Sequence, residues 1–171
     1  MKAIFKPFKL SGKINAPPSK SMAHRYLIGA ALSKQECVLS GLDYSEDILA
    51  SIDCLKALGT EISTDDDNVI VNPVNFMNKV NPVLECRESG STLRFFIPLG
   101  LCLGKDVTLR GSTRLFERPL DVYEELCRKN NFTFKKDKNS VVLCGRLNGG
   151  SYKIRGGVSS QFISGLLFAL V

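Results

Sequence analysis

The sequence predicts a mixed α/β fold built from a structural unit that recurs about every seventy residues. Three observations carry this reading. Stretches with apolar residues at helical spacing alternate with short strand-like runs. Each second helical stretch leads into a hairpin pattern with a polar turn. The two hairpin turns lie about 71 residues apart, as do the serine-rich helix openings, a period longer than that of common solenoids. A hydrophobic share of 44% with 23% charged residues suits a buried core and argues against disorder. At 171 residues, length favours one domain over two.

The first copy opens at Ser19-Lys20-Ser21, and Ala23, Leu27, Ala30 and Ala31 then fall on one helical face. Cys37-Val38-Leu39 reads as a short strand. Ser45-Glu46-Asp47 is a plausible cap with acids in the first turn, ahead of Ile48, Ile52 and Leu55. Gly59 closes that helix. Glu61 to Thr64, a turn at Asp65 to Asn68, and Val69 to Val71 form a hairpin.

The second copy opens at Glu88-Ser89-Gly90-Ser91-Thr92, with an apolar run from Leu93 in which Pro98 should kink the helix or shift a hydrogen bond. Val107-Thr108-Leu109 supplies a strand. Arg118-Pro119 is expected to begin the next helix, with Leu120, Tyr123 and Cys127 on one face. Phe132 to Lys135 and Ser140 to Leu143 repeat the hairpin around Lys136 to Asn139. A third opening, Val158-Ser159-Ser160-Gln161, starts an apolar helix through Phe162, Ile163, Leu166 and Leu167. No cap or hairpin follows before Val171, so the chain is expected to be a truncated product of about two and a third copies. Matching helices should pack side by side, with the sheets toward solvent.

The net charge of +6 and a pI near 9.1 favour anionic partners without choosing among nucleic acid, acidic membranes and phosphorylated metabolites. The longest apolar stretch, Phe95 to Leu103, contains a proline and is too short to span a bilayer. No signal-peptide pattern opens the chain, and a cytoplasmic location is the expectation. The six cysteines include no C-x-x-C pair, so no zinc site is expected, and they read as reduced structural thiols.

The charges become informative at the helix openings. Each opening sets small hydroxyl residues where unsatisfied backbone N–H groups and the positive dipole end meet, which makes an anion site. Serine and threonine are also ordinary caps, so one such opening says little. Lys20, Arg25, Arg94 and Arg118 add cations near helix starts, where they oppose the dipole. A shared, multiply anionic small ligand accounts for that placement.

Four motifs carry a family resemblance. Pro17-Pro18-Ser19-Lys20-Ser21-Met22-Ala23-His24-Arg25 resembles the P-S-K-S-x-x-x-R signature of EPSP synthases. Glu88-Ser89-Gly90-Ser91-Thr92-Leu93-Arg94 resembles their G-N-[AS]-G-T-x-x-R, Glu117-Arg118-Pro119-Leu120 their E-R-P-[IM], and Val158 to Phe162 their S-S-Q segment. The motifs occur in the family's order and spacing across the whole chain. The resemblance implies an enolpyruvyl transferase of two similar domains, each with three βαβαββ units. Residues 1–14 would be a strand belonging to the far domain, and 15–171 an incomplete near domain, cut in its third repeat.

The resemblance also implies roles. Lys20 would be catalytic, touching phosphoenolpyruvate and shikimate 3-phosphate near the departing phosphate. Ser21 and Arg25 would hold shikimate 3-phosphate, Arg25 at its carboxylate, and Ser159 and Ser160 its phosphate. Gly90 and Ser91 would contact phosphoenolpyruvate, Arg118 would clamp its phosphate as a bidentate donor, and Gln161 would touch both substrates. No metal or cofactor is implied. The family's acid–base carboxylates lie in the half absent here, so that half is the implied partner. Two positions depart from the family pattern. Ser91 replaces threonine, and Glu88 replaces asparagine, adding negative charge beside the site unless it turns toward Arg87 or Arg94.

Other residues are better explained by structure. His24, the single histidine, is expected to be partly exposed in a first helical turn and not a general base. Asp65-Asp66-Asp67 reads as a solvated turn and Lys135, Lys136 and Lys138 as a basic hairpin tip, not a cation site or a nucleic-acid contact. Phe95, Phe96 and Phe162 read as core. A same-fold transferase acting on UDP-N-acetylglucosamine is the nearest alternative, but it usually has Lys-Asn in the first motif and a reactive cysteine before Arg-Pro. Here Ser21 follows Lys20 and no cysteine lies between Gly111 and Glu117. A nucleic-acid-binding α/β module is favoured only by the pI, and no membrane partner is expected.

Overall fold

The computed structural model describes residues 3–171 apart from Phe5, Phe8, Leu10, Asp66 and Asp67. Helix α1 (Lys20–Leu32) starts at Ser19, whose hydroxyl accepts from the Met22 N–H, and it buries Ala23, Leu27, Ile28, Ala30 and Ala31. Strand β1 (Cys37–Ser40) leads to α2 (Glu46–Ala57), whose first-turn acids and last-turn Lys56 both suit the helix dipole. Gly59 follows at φ 106°. A Cβ there would also stand 2.2 Å from the Asn75 carbonyl oxygen, so backbone and space both require glycine. Strands β2 (Glu61–Thr64) and β3 (Asn68–Asn72) close the first copy, with the Asp65 carboxylate accepting from the Asn68 N–H. Of the acidic turn, Asp66 and Asp67 lie outside the described residues.

After β4 (Val83–Glu85) come α3 (Gly90–Cys102), β5 (Val107–Arg110), a short α4 (Thr113–Phe116), α5 (Asp121–Lys129), β6 (Thr133–Lys136), β7 (Ser140–Cys144) and α6 (Ser160–Ala169). The sheets have orders β1-β3-β2 and β4-β5-β7-β6. The corresponding strands β1, β3, β2 and β5, β7, β6 therefore share one antiparallel order. The register repeats too, since Cys37↔Val71 corresponds to Val107↔Leu143 and Glu61↔Asn72 to Thr133↔Cys144. The capping serines Ser19, Ser89 and Ser159 are spaced seventy residues apart.

Inward positions of the sheets are buried at Val69, Val71, Val107, Leu109, Val141 and Leu143, while Val38 faces out, so the strands form outer layers over the helices. Helix α3 is apolar on almost every side and buried from Gly90 to Leu101 apart from Ser91 and Arg94, as a central helix should be. It runs unbroken through Pro98. That proline has no N–H for the Arg94 carbonyl one turn back. Instead Tyr123 in α5 places its hydroxyl 2.9 Å from the Arg94 carbonyl oxygen and 3.1 Å from that of Phe162. Helix α6 crosses here through Gly165, where a Cβ would lie 2.7 Å from the Arg94 carbonyl oxygen.

Two elements differ from the sequence expectation. Arg118 and Pro119 do not begin a helix; they lie between α4 and α5. The Ser112 hydroxyl accepts from Leu115 N–H and starts a turn earlier, and a residue before proline disfavours helical backbone, so α5 waits until Asp121. Among the described residues of 3–14 there is no strand, and Ile4 and Ile14 are exposed; Phe5, Phe8 and Leu10 lie outside the described residues. Among the described residues no helix is long and apolar enough to cross a membrane. All six cysteines are free thiols, and burial raises Cys102 to about 11 and Cys127 to about 12.

Candidate functional site

The starts of α1, α3 and α6 meet on one side of the molecule. The Gln161 side chain in the first turn of α6 joins two of them: its Nε2 donates to Ser91 Oγ at 2.8 Å, and its Oε1 accepts from Arg94 Nη1 at 2.7 Å. Arg94 lies over the Phe162 ring at 5.1 Å, and Arg25 over the Phe95 ring at 5.3 Å. Arg25 also donates to Ser21 through its backbone oxygen at 2.7 Å and Oγ at 2.6 Å, and at 3.4 Å to Ser164 Oγ in α6. Helix α1 is thereby tied to both neighbours. Arg118 reaches in from the α4–α5 connection. A Cβ on Gly90 would lie 2.5 Å from its Nη1, so the guanidinium occupies space that glycine leaves open.

The electrostatics are one-sided. Among the described residues no carboxylate forms an ion pair with Arg25, Arg94 or Arg118. Burial, then the neighbouring Arg118 charge, pushes the Arg94 pKa below its ordinary value, although arginine stays protonated. Two guanidiniums converge on helix N-termini that already carry positive dipole ends. An anion with several oxygens would relieve that repulsion and satisfy planar donors.

Two other cations close to the helix openings have carboxylate partners. Lys20 Nζ pairs with Asp47 in the first turn of α2, at the edge of the site. Arg87 bridges Glu46 and Asp53, the latter at 2.7 Å. Glu88 is exposed, and among the described residues it forms no ion pair with Arg87 or Arg94, which have the partners given above. The Ser159 hydroxyl caps α6 by accepting from Gln161 N–H, while Ser160 is exposed at the helix start.

His24 corrects another expectation, being buried with 1% of its surface exposed. Desolvation lowers its pKa to about 4, so it is neutral at physiological pH. Its ring lies on the side of α1 turned away from the exposed Met22 and Tyr26, where helical period places it beside Leu27 and Ile28. Lys135, Lys136 and Lys138 are exposed at the β6–β7 tip, and Phe95, Phe96 and Phe162 are core.

The sequence model of the EPSP synthase family (3-phosphoshikimate 1-carboxyvinyltransferase) matches residues 4–171. The chain belongs to this family. A 3-phosphoshikimate 1-carboxyvinyltransferase of Clostridium perfringens strain SM101 is 44% identical over 172 residues, covering 99% of this chain and 41% of the relative. One from Clostridium kluyveri is 42% identical over 166 residues, covering 96% and 39%. The structure of EPSP synthase from Acinetobacter baumannii superposes with a TM-score of 0.76 at 24% identity, over 92% of this chain and 37% of that one. The chain thus spans about two fifths of the length of the relatives it matches.

In this chain of the EPSP synthase family, two site residues have no individual role in the resemblance, although Arg94 is among the cations grouped at the helix openings. Arg94 ends the second motif, and its signal was position: it lies one helical turn after Gly90 and Ser91, on the face those residues share. Asp47, the partner of Lys20, looked like an ordinary first-turn acid.

Proposed function

We propose that this chain carries one wall of the active site of an enzyme that transfers the enolpyruvyl group of phosphoenolpyruvate to the 5-hydroxyl of shikimate 3-phosphate. The observation that supports it most is the Ser91–Gln161–Arg94 bridge beside Arg118, an anion-seeking cluster built from three of the four family motifs. In this reading Arg118 and Lys20 hold the phosphate of phosphoenolpyruvate, with Gly90 and Ser91 along its body. Arg25 and Ser21 hold the carboxylate of shikimate 3-phosphate, and Ser159 and Ser160 its phosphate. Gln161 lies between the two substrates, and Arg94 aligns the Gln161 amide.

The reaction adds the 5-hydroxyl oxygen to C2 of phosphoenolpyruvate while a proton is delivered to C3. The hydroxyl proton is lost, and cleavage of the C2–O bond with removal of a C3 proton then releases inorganic phosphate. Lys20 and the arginines supply positioning and stabilise the phosphate as it departs. No metal or cofactor has a part. The acid–base groups come from the remainder of the enzyme, which closes over this wall.

Residues 1–14 belong to the far domain, and 15–171 form about two and a third copies of the near-domain unit. An exposed α6 face supports this: Ile163 and Leu167 are exposed at 43% and 63%, whereas Leu93 and Ile97, one repeat earlier, are buried. The enzyme is a cytoplasmic transferase of the shikimate pathway, supplying aromatic amino acid and chorismate synthesis. Calorimetric titration of residues 1–171 with shikimate 3-phosphate should give a Kd on the order of millimolar, about 4 kcal/mol. Arg25→Ala should abolish it, and phosphate release should stay at background. Turnover by this chain alone, or binding indifferent to Arg25→Ala, would contradict the reading.

A further inference from the structure

A buried chain of polar side chains runs beneath the helix openings and involves none of the proposed ligand groups. His24 lies one turn after Lys20 and adjacent to Arg25. Its Nδ1 is 2.8 Å from Ser51 Oγ in α2, and that oxygen is 2.8 Å from Thr92 Oγ1 in α3. Thr92 Oγ1 is in turn 2.7 Å from Ser89 Oγ, the hydroxyl that caps α3. All four residues are buried.

Of the two directions in which their protons can run, one leaves no buried N–H without an acceptor. The Thr92 hydroxyl has two acceptors on its far side, Ser89 Oγ and, at 3.3 Å, the Asp47 carbonyl, which has no proton to give. With its proton there, Thr92 accepts from Ser51, and Ser51 accepts from His24, so Nδ1 carries the hydrogen. The buried Nε2 has no partner. This order leaves a lone pair there and avoids an orphaned N–H, the arrangement buried groups rarely show.

The charges facing the ring are Lys20 and Arg25 from its own helix and Asp47 from α2. Helix α3 presents the Phe95 ring edge-on at 6.3 Å, and α6 contains no titratable residue. Burial outweighs the attraction of Asp47 and keeps the ring neutral.

We propose that His24 is a positioning residue: as a neutral Nδ1–H donor it ties α1, through Ser51 and Thr92, to the α3 cap. It thereby sets Lys20 and Arg25 at a fixed separation from Ser91 and Arg94. The inference rests on the reading that these openings hold one anionic ligand. Protonation would place a third cation between Lys20 and Arg25 and put a second N–H on Nε2, where nothing accepts it.

Nitrogen NMR of the single histidine tests the proton order, and shikimate 3-phosphate titrations of residues 1–171 test the positioning. The expected spectrum is neutral Nδ1–H from pH 7 to pH 5. Ser51→Ala and Thr92→Val should each weaken binding roughly tenfold, and the double variant no more than the worse single, because both cut one chain. His24→Asn keeps a donor near the Nδ1 position and should stay within about threefold of native, while His24→Leu falls with the others. If His24→Leu does not fold, the volume-conserving Thr92→Val decides. An Nε2–H tautomer, or titration near the ordinary histidine pKa, would overturn the proton order. Unchanged affinity in every variant would overturn the positioning role and leave the site reading intact, and so would losses that add and follow melting temperature. A native chain that binds no shikimate 3-phosphate would remove the site reading and this inference together.

Discussion

Tyr123→Phe isolates one oxygen at the junction of α3, α5 and α6. The tyrosine hydroxyl donates toward the Arg94 and Phe162 carbonyls, and Pro98 cannot supply Arg94 with the usual helical N–H. Deleting the hydroxyl leaves the Arg94 carbonyl without a donor beneath a ring that is fully buried. An unsatisfied buried acceptor costs about 1–3 kcal/mol. For a chain of this size that corresponds to a fall of about 3–10 °C in Tm. Thermal and urea unfolding should show the loss with an unchanged m-value. Pro98→Ala provides the control, because it restores an N–H to Arg94. In that background the same substitution should cost distinctly less. Equal losses in both backgrounds, or a Tm within about 1 °C of native, would refute the link between the proline and the tyrosine.

Gly165→Ala should destabilise by about 1–3 kcal/mol in urea unfolding, because the new Cβ would meet Tyr123 Oη at 2.5 Å and the Arg94 carbonyl oxygen at 2.7 Å. Gly90→Ala should leave stability nearly unchanged, since the obstructing atom is the mobile end of Arg118 at 2.5 Å. It should still weaken phosphoenolpyruvate binding roughly tenfold in a titration with shikimate 3-phosphate present, by displacing that guanidinium. Acid should also destabilise through His24. The unfolded histidine binds a proton near pH 6.5 and the folded one only near pH 4, so stability is full above 6.5 and falls as pH drops across that window. At about 1.4 kcal/mol per unit, the loss reaches about 3 kcal/mol at the low end. Urea unfolding of the native chain and His24→Asn should diverge across this window only.

Much of the fold was legible because local signals agreed with tertiary packing. The capping serines, the Gly59 stop and both hairpins combine periodicity with turn chemistry that few other structures accept. Strand β4 was not legible: three residues are too few to establish a period, and it exists because β5 pairs with it in parallel. The start of α5 was misplaced because Pro119 suits a first helical turn, while Ser112 captured the preceding residues for α4. At the site, the grouping of Lys20, Arg25 and Arg118 with the openings followed from charge opposed to dipole. Their partners did not. Asp47 meets Lys20, Gln161 meets Arg94, and His24 meets Ser51 across separate helices, and no local pattern encodes such distances.

Whether the three helix openings form one ligand site is tested most directly by amide NMR of residues 1–171 titrated with shikimate 3-phosphate and phosphoenolpyruvate. The backbone signals of Ser21, Ser91, Ser160 and Gln161 should shift together and fit a single Kd on the order of millimolar. Shifts confined to one opening, separate Kd values for the three, or changes centred on the basic β6–β7 tip would contradict a shared site.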